Sequence, residues 1–229
     1  MDKKLLKIIL TNKKIVISYF LLSILNVVFI YLYPSEPTTL KPQALPILIE
    51  TTKIAIYLTP LFVILMIYFA MLKRYVYKLY SRTEPKIDDK TALKQVVKYS
   101  IFWNMVSVAI LCLNLLCIVM AFSNNILYKE LSFFLSLGLL VLVILLIYLT
   151  TYGSVISGIE PVKPYQVDKL LEFSSRDVWI VSFVYYFVMF TLISFKVNPI
   201  LDFIIMFFMN ITCAYTYVLA YIKTRNQRS

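Results

Sequence analysis

The stretch LSFFLSLGLLVLVILLIYLTTY, residues 131–152, decides the class of fold because it runs for 22 residues without a charged side chain. A helix that crosses the roughly 30 Å hydrocarbon core of a bilayer needs about 20 mainly apolar residues. The rest of the chain has the same character, since 61% of its 229 residues are hydrophobic and 15% are charged. Soluble domains average about 45–50% apolar and about 25% charged residues. The sequence therefore predicts an integral membrane protein.

Six apolar stretches are long enough to cross a bilayer as helices, and they predict an all-α fold. Transmembrane strands would instead be segments of about ten residues in which apolar and polar side chains alternate. The segments between the stretches are too short to form a second soluble domain, so we expect one transmembrane domain over residues 1–229. The predicted spans cover residues 15–33, 54–72, 100–122, 131–152, 178–195 and 199–222.

The basic residues predict how the helices are oriented, because Lys and Arg in short loops are retained on the cytoplasmic side. Nineteen of the 23 fall in the N-terminal segment, the second and fourth loops and the C-terminal segment. Both termini are therefore expected in the cytoplasm. The Lys- and Ile-rich, Gly-poor composition suits the cytoplasmic membrane of a bacterium. The first span exceeds the apolar core of a signal peptide, about 7–15 residues, so we expect it to be retained.

Residues 3–14, KKLLKIILTNKK, separate lysines from leucines and isoleucines around a helix. This pattern predicts a basic amphipathic helix lying on an anionic lipid surface. In the second loop, Asp88 or Asp89 can cap a new helix after the Pro85 break. A third amphipathic segment is expected in the fourth loop, between residues 165 and 177.

These loop helices supply the candidate docking surface for a cytoplasmic protein, with the alternative that they lie on the bilayer. The candidate residues of the second loop are lysines that recur at helical spacing, and the candidate residues of the fourth loop are leucines. The candidate docking residues are Lys90, Lys94, Lys98, Leu170 and Leu171.

Polar side chains recur on one face of three predicted spans. Hydrocarbon offers them no hydrogen-bond partner, so these faces are expected to turn toward other helices or a cavity. The first, third and sixth spans should therefore face one another or a subunit interface, either as packing surfaces or as a polar pathway for a substrate. The residues are Tyr19, Ser23 and Asn26 in the first span, Asn104, Ser107 and Asn114 in the third, and Asn210 and Tyr217 in the sixth.

Four further residues carry structural predictions. Pro60 removes a backbone hydrogen bond inside the second span and is the candidate hinge. Asp202 is expected to be a solvated cap at the start of the last helix, where the helix dipole favours an anion. Trp103 and Trp179 lie just inside the cytoplasmic ends of their spans, where an indole ring is expected at the membrane interface.

The residue types also restrict the chemistry. The chain has no His and three Cys, which excludes imidazole general bases and His-containing metal sites. The cysteines lie in apolar spans and are expected to be reduced and inert. No glycine-rich phosphate loop occurs, and the basic residues follow membrane topology rather than forming a nucleic-acid-binding module. We therefore predict a non-enzymatic protein with no catalytic residue, metal or cofactor site and no direct binding of nucleic acid.

Six spans with both termini inside, an amphipathic N-terminal helix and short cytoplasmic helices resemble the transmembrane half of an ABC-2-type exporter. The resemblance is architectural and strongest over residues 1–33. It implies a permease-like subunit that forms a dimer and carries a cytoplasmic ATPase on residues 73–99 and 160–177. The alternative is an oligomeric membrane sensor, anchor or immunity protein, for example in phage defence or bacteriocin self-protection, that signals to a cytoplasmic partner. Three Gly in the chain leave few places where helices could break or unwind.

Overall fold

The computed structural model describes residues 2–32, 44–81, 85–121, 126–196 and 198–226. Within these ranges the chain is helical apart from short connections and contains no strand, which confirms the all-α prediction. The helices are α1 (Lys3–Thr11), α2 (Lys13–Leu32), α3 (Ala44–Ser81), α4 (Asp89–Ala121), α5 (Ile126–Tyr148), α6 (Ser154–Ile159), α7 (Val167–Leu171), α8 (Arg176–Phe195) and α9 (Pro199–Asn226). A π-helical turn, Leu149–Gly153, joins α5 to α6.

Six helical segments are long and apolar enough to cross a membrane, which confirms that the protein has the features of a multi-pass membrane protein. Each of them overlaps one of the predicted spans. The segments are Lys13–Leu32, Ile56–Ser81, Asp89–Asn114, Val141–Ile159, Arg176–Phe195 and Pro199–Asn226.

Helices α3 and α4 extend well beyond their predicted spans. Helix α3 has 38 residues and α4 has 33, which correspond to about 57 Å and 50 Å at 1.5 Å per residue. The predicted helix after Pro85 does begin at Asp89, because the Asp88 carboxylate accepts a hydrogen bond from the backbone N–H of Thr91 at 3.2 Å. It does not end before the third span, however, and instead forms the first turns of α4.

Helix α1 forms as predicted, but its apolar face is covered by protein. Asp2 caps it by accepting hydrogen bonds from the backbone N–H groups of Lys4 and Leu5, both at 3.0 Å. Leu5 and Ile9 are fully buried because α1 packs against α2, α3 and α9. The expectation of a helix whose apolar side lies on lipid is therefore corrected for these two residues.

The bundle has two chemically different ends. One end brings together α1, the last turns of α3, the first turns of α4, the segment from α6 to the start of α8, and the last turns of α9. We call it the basic end, and the prediction from charge places it in the cytoplasm. The opposite, distal end contains the end of α2 and the start of α9, where the Tyr31 hydroxyl donates to Asp202 at 3.0 Å.

The prediction that Asp202 is a solvated cap is wrong, whereas the interfacial position of Trp103 and Trp179 stays a prediction. Asp202 is fully buried rather than solvated, and the helix is instead capped by Asn198, whose side chain accepts from the Ile200 N–H at 2.8 Å. Trp103 is 7% exposed because it packs against Tyr99 and Phe102. Trp179 is half-buried and stacks on Tyr148, with ring centroids 4.3 Å apart.

Candidate functional site

A cavity of about 350 Å³ lies between α2, α3, α4, α8 and the π-helical turn. Along α3 its lining runs from Ile56 to Phe69, a distance of about 20 Å at the helical rise. At the surface of the bundle the lining includes Ile56 and Phe190, which are exposed. The cavity therefore opens on the apolar outer surface, and its volume falls within the range of small-molecule sites, about 300–1,000 Å³.

Most of the lining is apolar, and four of the polar lining residues form two hydrogen-bonded pairs. Thr150 Oγ1 and Tyr186 Oη share a hydrogen bond of 2.7 Å. Asn26 Nδ2 lies 3.4 Å from Tyr185 Oη. Because these groups partly satisfy each other, the cavity offers an apolar ligand a wall with few unsatisfied polar atoms. The polar lining residues are Asn26, Thr59, Ser107, Thr150, Thr151, Tyr185 and Tyr186.

The predicted polar faces of the first and sixth spans meet. Asn210 Nδ2 donates to Ser23 Oγ at 3.1 Å, and the Ser23 hydroxyl donates in turn to the Tyr19 carbonyl at 2.8 Å. Tyr217 is fully buried and shares a 2.7 Å hydrogen bond with Ser182 on α8. These hydrogen bonds connect α2 to α9 and α9 to α8, so the residues that make them take part in helix–helix contacts.

The polar face of the third span turns elsewhere. Asn104 is buried and donates to the Ser100 carbonyl at 2.8 Å and toward Met66 Sδ on α3 at 3.2 Å. Of this stripe, Ser107 lines the cavity, whereas Asn114 is half-buried. The structure therefore joins the stripes of the first and sixth spans directly and places the third against α3 and the cavity.

Several polar residues of the site were missed by the sequence analysis. Ser182 accepts from Thr151 Oγ1 at 3.1 Å and so connects the π-helical turn to α9 through Tyr217. The signal was present in the sequence, since Ser182, Tyr185 and Tyr186 recur at three- and four-residue spacing on one face of α8.

The π-helical turn packs closely against α4. A Cβ atom at Gly153 would lie 2.1 Å from Tyr99 Oη and 3.1 Å from its Cζ. Tyr99 is fully buried, and its hydroxyl donates to the Leu149 carbonyl at 2.9 Å. Only glycine allows this approach at residue 153, and the contact fixes the segment that carries Thr150 and Thr151.

Lys73 is a basic side chain that is buried inside the bundle. It is fully buried, and its Nζ has no hydrogen-bond partner among the described residues. The Nζ lies 2.8 Å from the centroid of the Phe69 ring and 5.7 Å from that of Tyr19. A desolvated cation–π contact contributes about 2 kcal/mol, whereas removing an ion from water costs several kcal/mol. The aromatic rings therefore offset only part of the cost of burying a charged Lys73.

The next residue, Arg74, is buried but fully paired. Its guanidinium donates to Asp89 Oδ1 at 2.9 and 3.0 Å and to the Ile87 carbonyl at 2.6 Å. It also donates to the Gly158 carbonyl on α6. Lys78 Nζ approaches Asp89 Oδ1 to 2.7 Å from the exposed side. Arg74 thus ties α3 to the start of α4 and to α6.

A second polar cluster surrounds Glu160 at the same end. Glu160 is 4% exposed, pairs with Lys86 Nζ at 2.8 Å and accepts from the Tyr221 hydroxyl on α9. Gln95 Nε2 on α4 donates to the Glu160 carbonyl at 2.8 Å. Together with Arg74, this cluster joins α3, α4, α6 and α9, so the bundle is closed by polar contacts at its basic end.

The structure exposes the candidate docking lysines but buries one of the candidate docking leucines. Lys90, Lys94 and Lys98 are exposed on α4, as a docking surface requires. Leu170, in contrast, is fully buried, and its carbonyl accepts from Tyr148 Oη at 2.9 Å. Leu171 is half-buried. Leu170 therefore holds α7 against the bundle instead of presenting a surface to a partner.

The candidate hinge, Pro60, is an exposed residue inside α3, and the helix continues through it. Its neighbour Thr59 lines the cavity. A proline leaves the carbonyl four residues earlier without its usual donor, and here that carbonyl belongs to Ile56. The weakest part of the α3 hydrogen-bond ladder therefore lies beside the cavity.

The described residues contain no group of three or more His, Cys, Asp or Glu side chains that could hold a metal ion. Cys112 is exposed, Cys117 and Cys213 are buried, and all three are free thiols. No protein-family model, curated protein or solved structure matches the chain.

Proposed function

We propose that this chain is the non-enzymatic, permease-like membrane subunit of an exporter, that it works with a cytoplasmic ATPase, and that the cavity binds its substrate. The observation that carries the proposal is the asymmetry of the bundle. The cavity opens at the apolar surface beside Ile56 and Phe190, while Arg74 and Glu160 tie the basic end together. A transporter requires a site near the middle of the membrane that is reached from one side at a time.

The lining of the cavity indicates the class of substrate. Its walls are mainly Leu, Ile, Phe and Met side chains, and several of its polar groups already have hydrogen-bond partners within the protein. A strongly hydrated molecule would lose its water there without gaining equivalent hydrogen bonds. The substrate is therefore a mainly apolar molecule that dissolves in the membrane.

Helix α4 supplies a physical connection between a partner and the cavity. The exposed Lys90, Lys94 and Lys98 stand near its start, and Ser107 and Val108, further along the same helix, line the cavity. The distance from Lys90 to Ser107 is about 26 Å along one uninterrupted helix. A protein that moves the first turns of α4 would therefore move one wall of the cavity.

A pull-down of the intact protein in mild detergent, followed by mass spectrometry of co-purified proteins, tests the proposal. We expect to recover an ATPase, and we expect replacement of Lys90, Lys94 and Lys98 by Glu to release it. A matched control replaces Lys3, Lys7 and Lys14 by Glu, because these residues are also exposed and basic and the change in charge is the same. Absence of an ATPase from the wild-type preparation would contradict the exporter.

A membrane sensor, anchor or immunity protein is the second candidate. It is favoured by the closed basic end and by the tight packing at Gly153 and Gly158, where added Cβ atoms would meet Tyr99 and Val96 at 2.1 and 3.3 Å. A rigid bundle of this kind suits a protein that is recognised as a whole. Recovery of a soluble effector or toxin in the same pull-down, or its gene beside this one, would favour this candidate, whereas a neighbouring ATPase gene favours the exporter.

Both candidates include a homo-oligomer. The exposed apolar side chains of α5, among them Phe133 and Phe134, are available either to lipid or to a second copy. Native mass spectrometry of the detergent-solubilised protein measures the number of copies directly, and we expect a dimer for the exporter.

A further inference from the structure

We propose that the cavity holds the chain of an anionic amphiphile and that Lys73 and Tyr19 bind its acidic headgroup. This proposal rests on the role of the cavity as a binding site and adds the chemical class of the ligand. The ligand has a single apolar chain that ends in a carboxylate or a phosphate. The headgroup site lies one helical turn beyond the inner end of the cavity.

The position of Lys73 follows from the geometry of α3. Phe69 is the lining residue of α3 nearest to the basic end, and Lys73 is four residues further along, so both side chains lie on the same face of the helix. The Lys73 Nζ rests 2.8 Å from the centroid of the Phe69 ring. One aromatic ring therefore separates the ammonium group from the cavity, and a change in its rotamer would connect the two.

Two buried donors at this point lack acceptors. Lys73 Nζ and Tyr19 Oη are both fully enclosed, and neither has a hydrogen-bond partner among the described residues. The Lys73 Nζ lies 5.7 Å from the centroid of the Tyr19 ring. The described ion pairs of the nearby α3 involve Arg74 and Lys78 with Asp89 and leave Lys73 out. An oxyanion between the two groups would accept a hydrogen bond from each and would neutralise the ammonium. A hydrogen bond between an ammonium and an oxyanion is the strongest kind available to a lysine.

The route to this site selects an amphiphile over a small hydrated anion. The approach from the bundle surface passes about 20 Å of mainly apolar lining between Ile56 and Phe69. A free inorganic anion would lose its hydration along this path with no compensating contact. An acid attached to an apolar chain keeps the chain in the cavity while the headgroup reaches Lys73.

Equilibrium binding to the purified full-length protein in an uncharged maltoside detergent tests the proposal. The probes are radiolabelled palmitate, hexadecyl phosphate and hexadecanol, which share a chain length and differ in headgroup. We expect the wild type to bind at least one acid 10-fold or more tightly than the alcohol, and the preferred acid identifies the headgroup as a carboxylate or a phosphate. We expect Lys73→Met to abolish this preference while binding of hexadecanol is retained.

Two further variants make the result specific. Tyr19→Phe removes one hydrogen bond to the headgroup and should reduce the preference for the acid several-fold without affecting the alcohol. Lys13→Met removes an exposed lysine from the start of α2, the helix that carries Tyr19, and should change neither affinity, which excludes attraction of the acids to the basic surface.

The outcomes separate this proposal from the proposed function. Equal affinity of the wild type for the acids and the alcohol would overturn the headgroup site while leaving the cavity as a binding site. Binding of none of the three probes would overturn both. A preference for the acid that survives in Lys73→Met would also overturn the assignment of Lys73. If Lys73→Met does not fold, the comparison of probes on the wild type and on Tyr19→Phe decides the question.

Discussion

Replacing Gly153 by Ala should destabilise the protein through a single contact. The new Cβ would lie 2.1 Å from Tyr99 Oη, whereas nonbonded carbon and oxygen atoms stay more than about 3 Å apart. The hydroxyl would therefore have to retreat by roughly 1 Å. Because Tyr99 is fully buried and packs against Trp103, this movement would disturb the hydrogen bond to the Leu149 carbonyl.

The expected loss is the difference between two costs and one gain. A buried carbonyl and hydroxyl that lose their hydrogen bond cost about 1–3 kcal/mol, and overpacking of a filled interior costs about 1–3 kcal/mol. The change from Gly to Ala in a helix contributes roughly 1 kcal/mol in the opposite direction. We therefore expect a net destabilisation of about 1–5 kcal/mol. For a chain of this size, each kcal/mol corresponds to a decrease in Tm of roughly 2–4 °C.

Thermal unfolding in detergent, followed by the monodisperse peak in size-exclusion chromatography, measures this change. Gly138→Ala is the matched control, because nothing lies within 4 Å of the added Cβ, and its Tm should equal or exceed that of the wild type. On a Tyr99→Phe background the clash with Oη is gone, so Gly153→Ala should cost much less than it does alone. An equal cost on both backgrounds, or an unchanged Tm in the single variant, would refute the assignment of this contact.

Three further predictions test separate parts of the structure. Val108→Trp should fill the cavity and weaken binding of hexadecanol at least 10-fold, whereas Ala109→Trp, on the exposed side of α4, should leave it unchanged. Arg74→Met should lower stability by about 1–3 kcal/mol because it leaves the buried Gly158 carbonyl without its donor. Lys78→Met, which removes a partly exposed partner of Asp89, should cost less than about 1 kcal/mol in thermal unfolding. Hydrogen bonds from Tyr80, Leu5 and Lys4 lower the pKa of Asp2 below its usual value of 3.8. The stability that this carboxylate gives to the docking of α1 should therefore be complete above pH 3.8 and should be lost as the pH falls through the lower pKa of the folded state. A spin label at Lys7→Cys should report release of α1 under those acidic conditions, and at neutral pH in an Asp2→Asn variant.

The number of long apolar helical segments could be predicted because the property that decides it is local. Each span needs about 20 apolar residues regardless of its neighbours, and the sequence shows this directly. The ends of α3 and α4 were less predictable, since the count of apolar residues ends the second span at Leu72 and begins the third at Ser100, whereas the charged turns beyond them belong to the same helices. Lys73 and Arg74 show the reason for the difference. They were assigned to the second loop by charge, but neighbouring helices bury both of them.

The candidate site was predictable only in part, because residue spacing defines a face but does not name the helix that it meets. The spacing of Ser23 and Asn210 correctly indicated polar faces on α2 and α9, which contact each other. The same reasoning placed Asn104 beside them, whereas the structure places it against Met66 on α3. The cavity could not be predicted, because it is a packing defect between five elements. The sequence of any one of these elements does not show how its side chains pack against the other four.

The arrangement of charges explains why opening of the basic end would need an external source of energy. Arg74 is 1% exposed and joins α3 to α4 and α6 through Asp89 and the buried Gly158 carbonyl. Separating these helices would break these bonds and leave the Arg74 donors and the Gly158 carbonyl unsatisfied. Each such unsatisfied group costs about 1–3 kcal/mol, so simultaneous loss of the Arg74 and Glu160 contacts exceeds thermal energy many times over. Asp89, which accepts from Arg74, is the first residue of the same helix that exposes Lys90. A partner bound at these lysines would move the end of α4 at which the closing contacts are made. It would therefore disrupt those contacts before it moved the cavity wall.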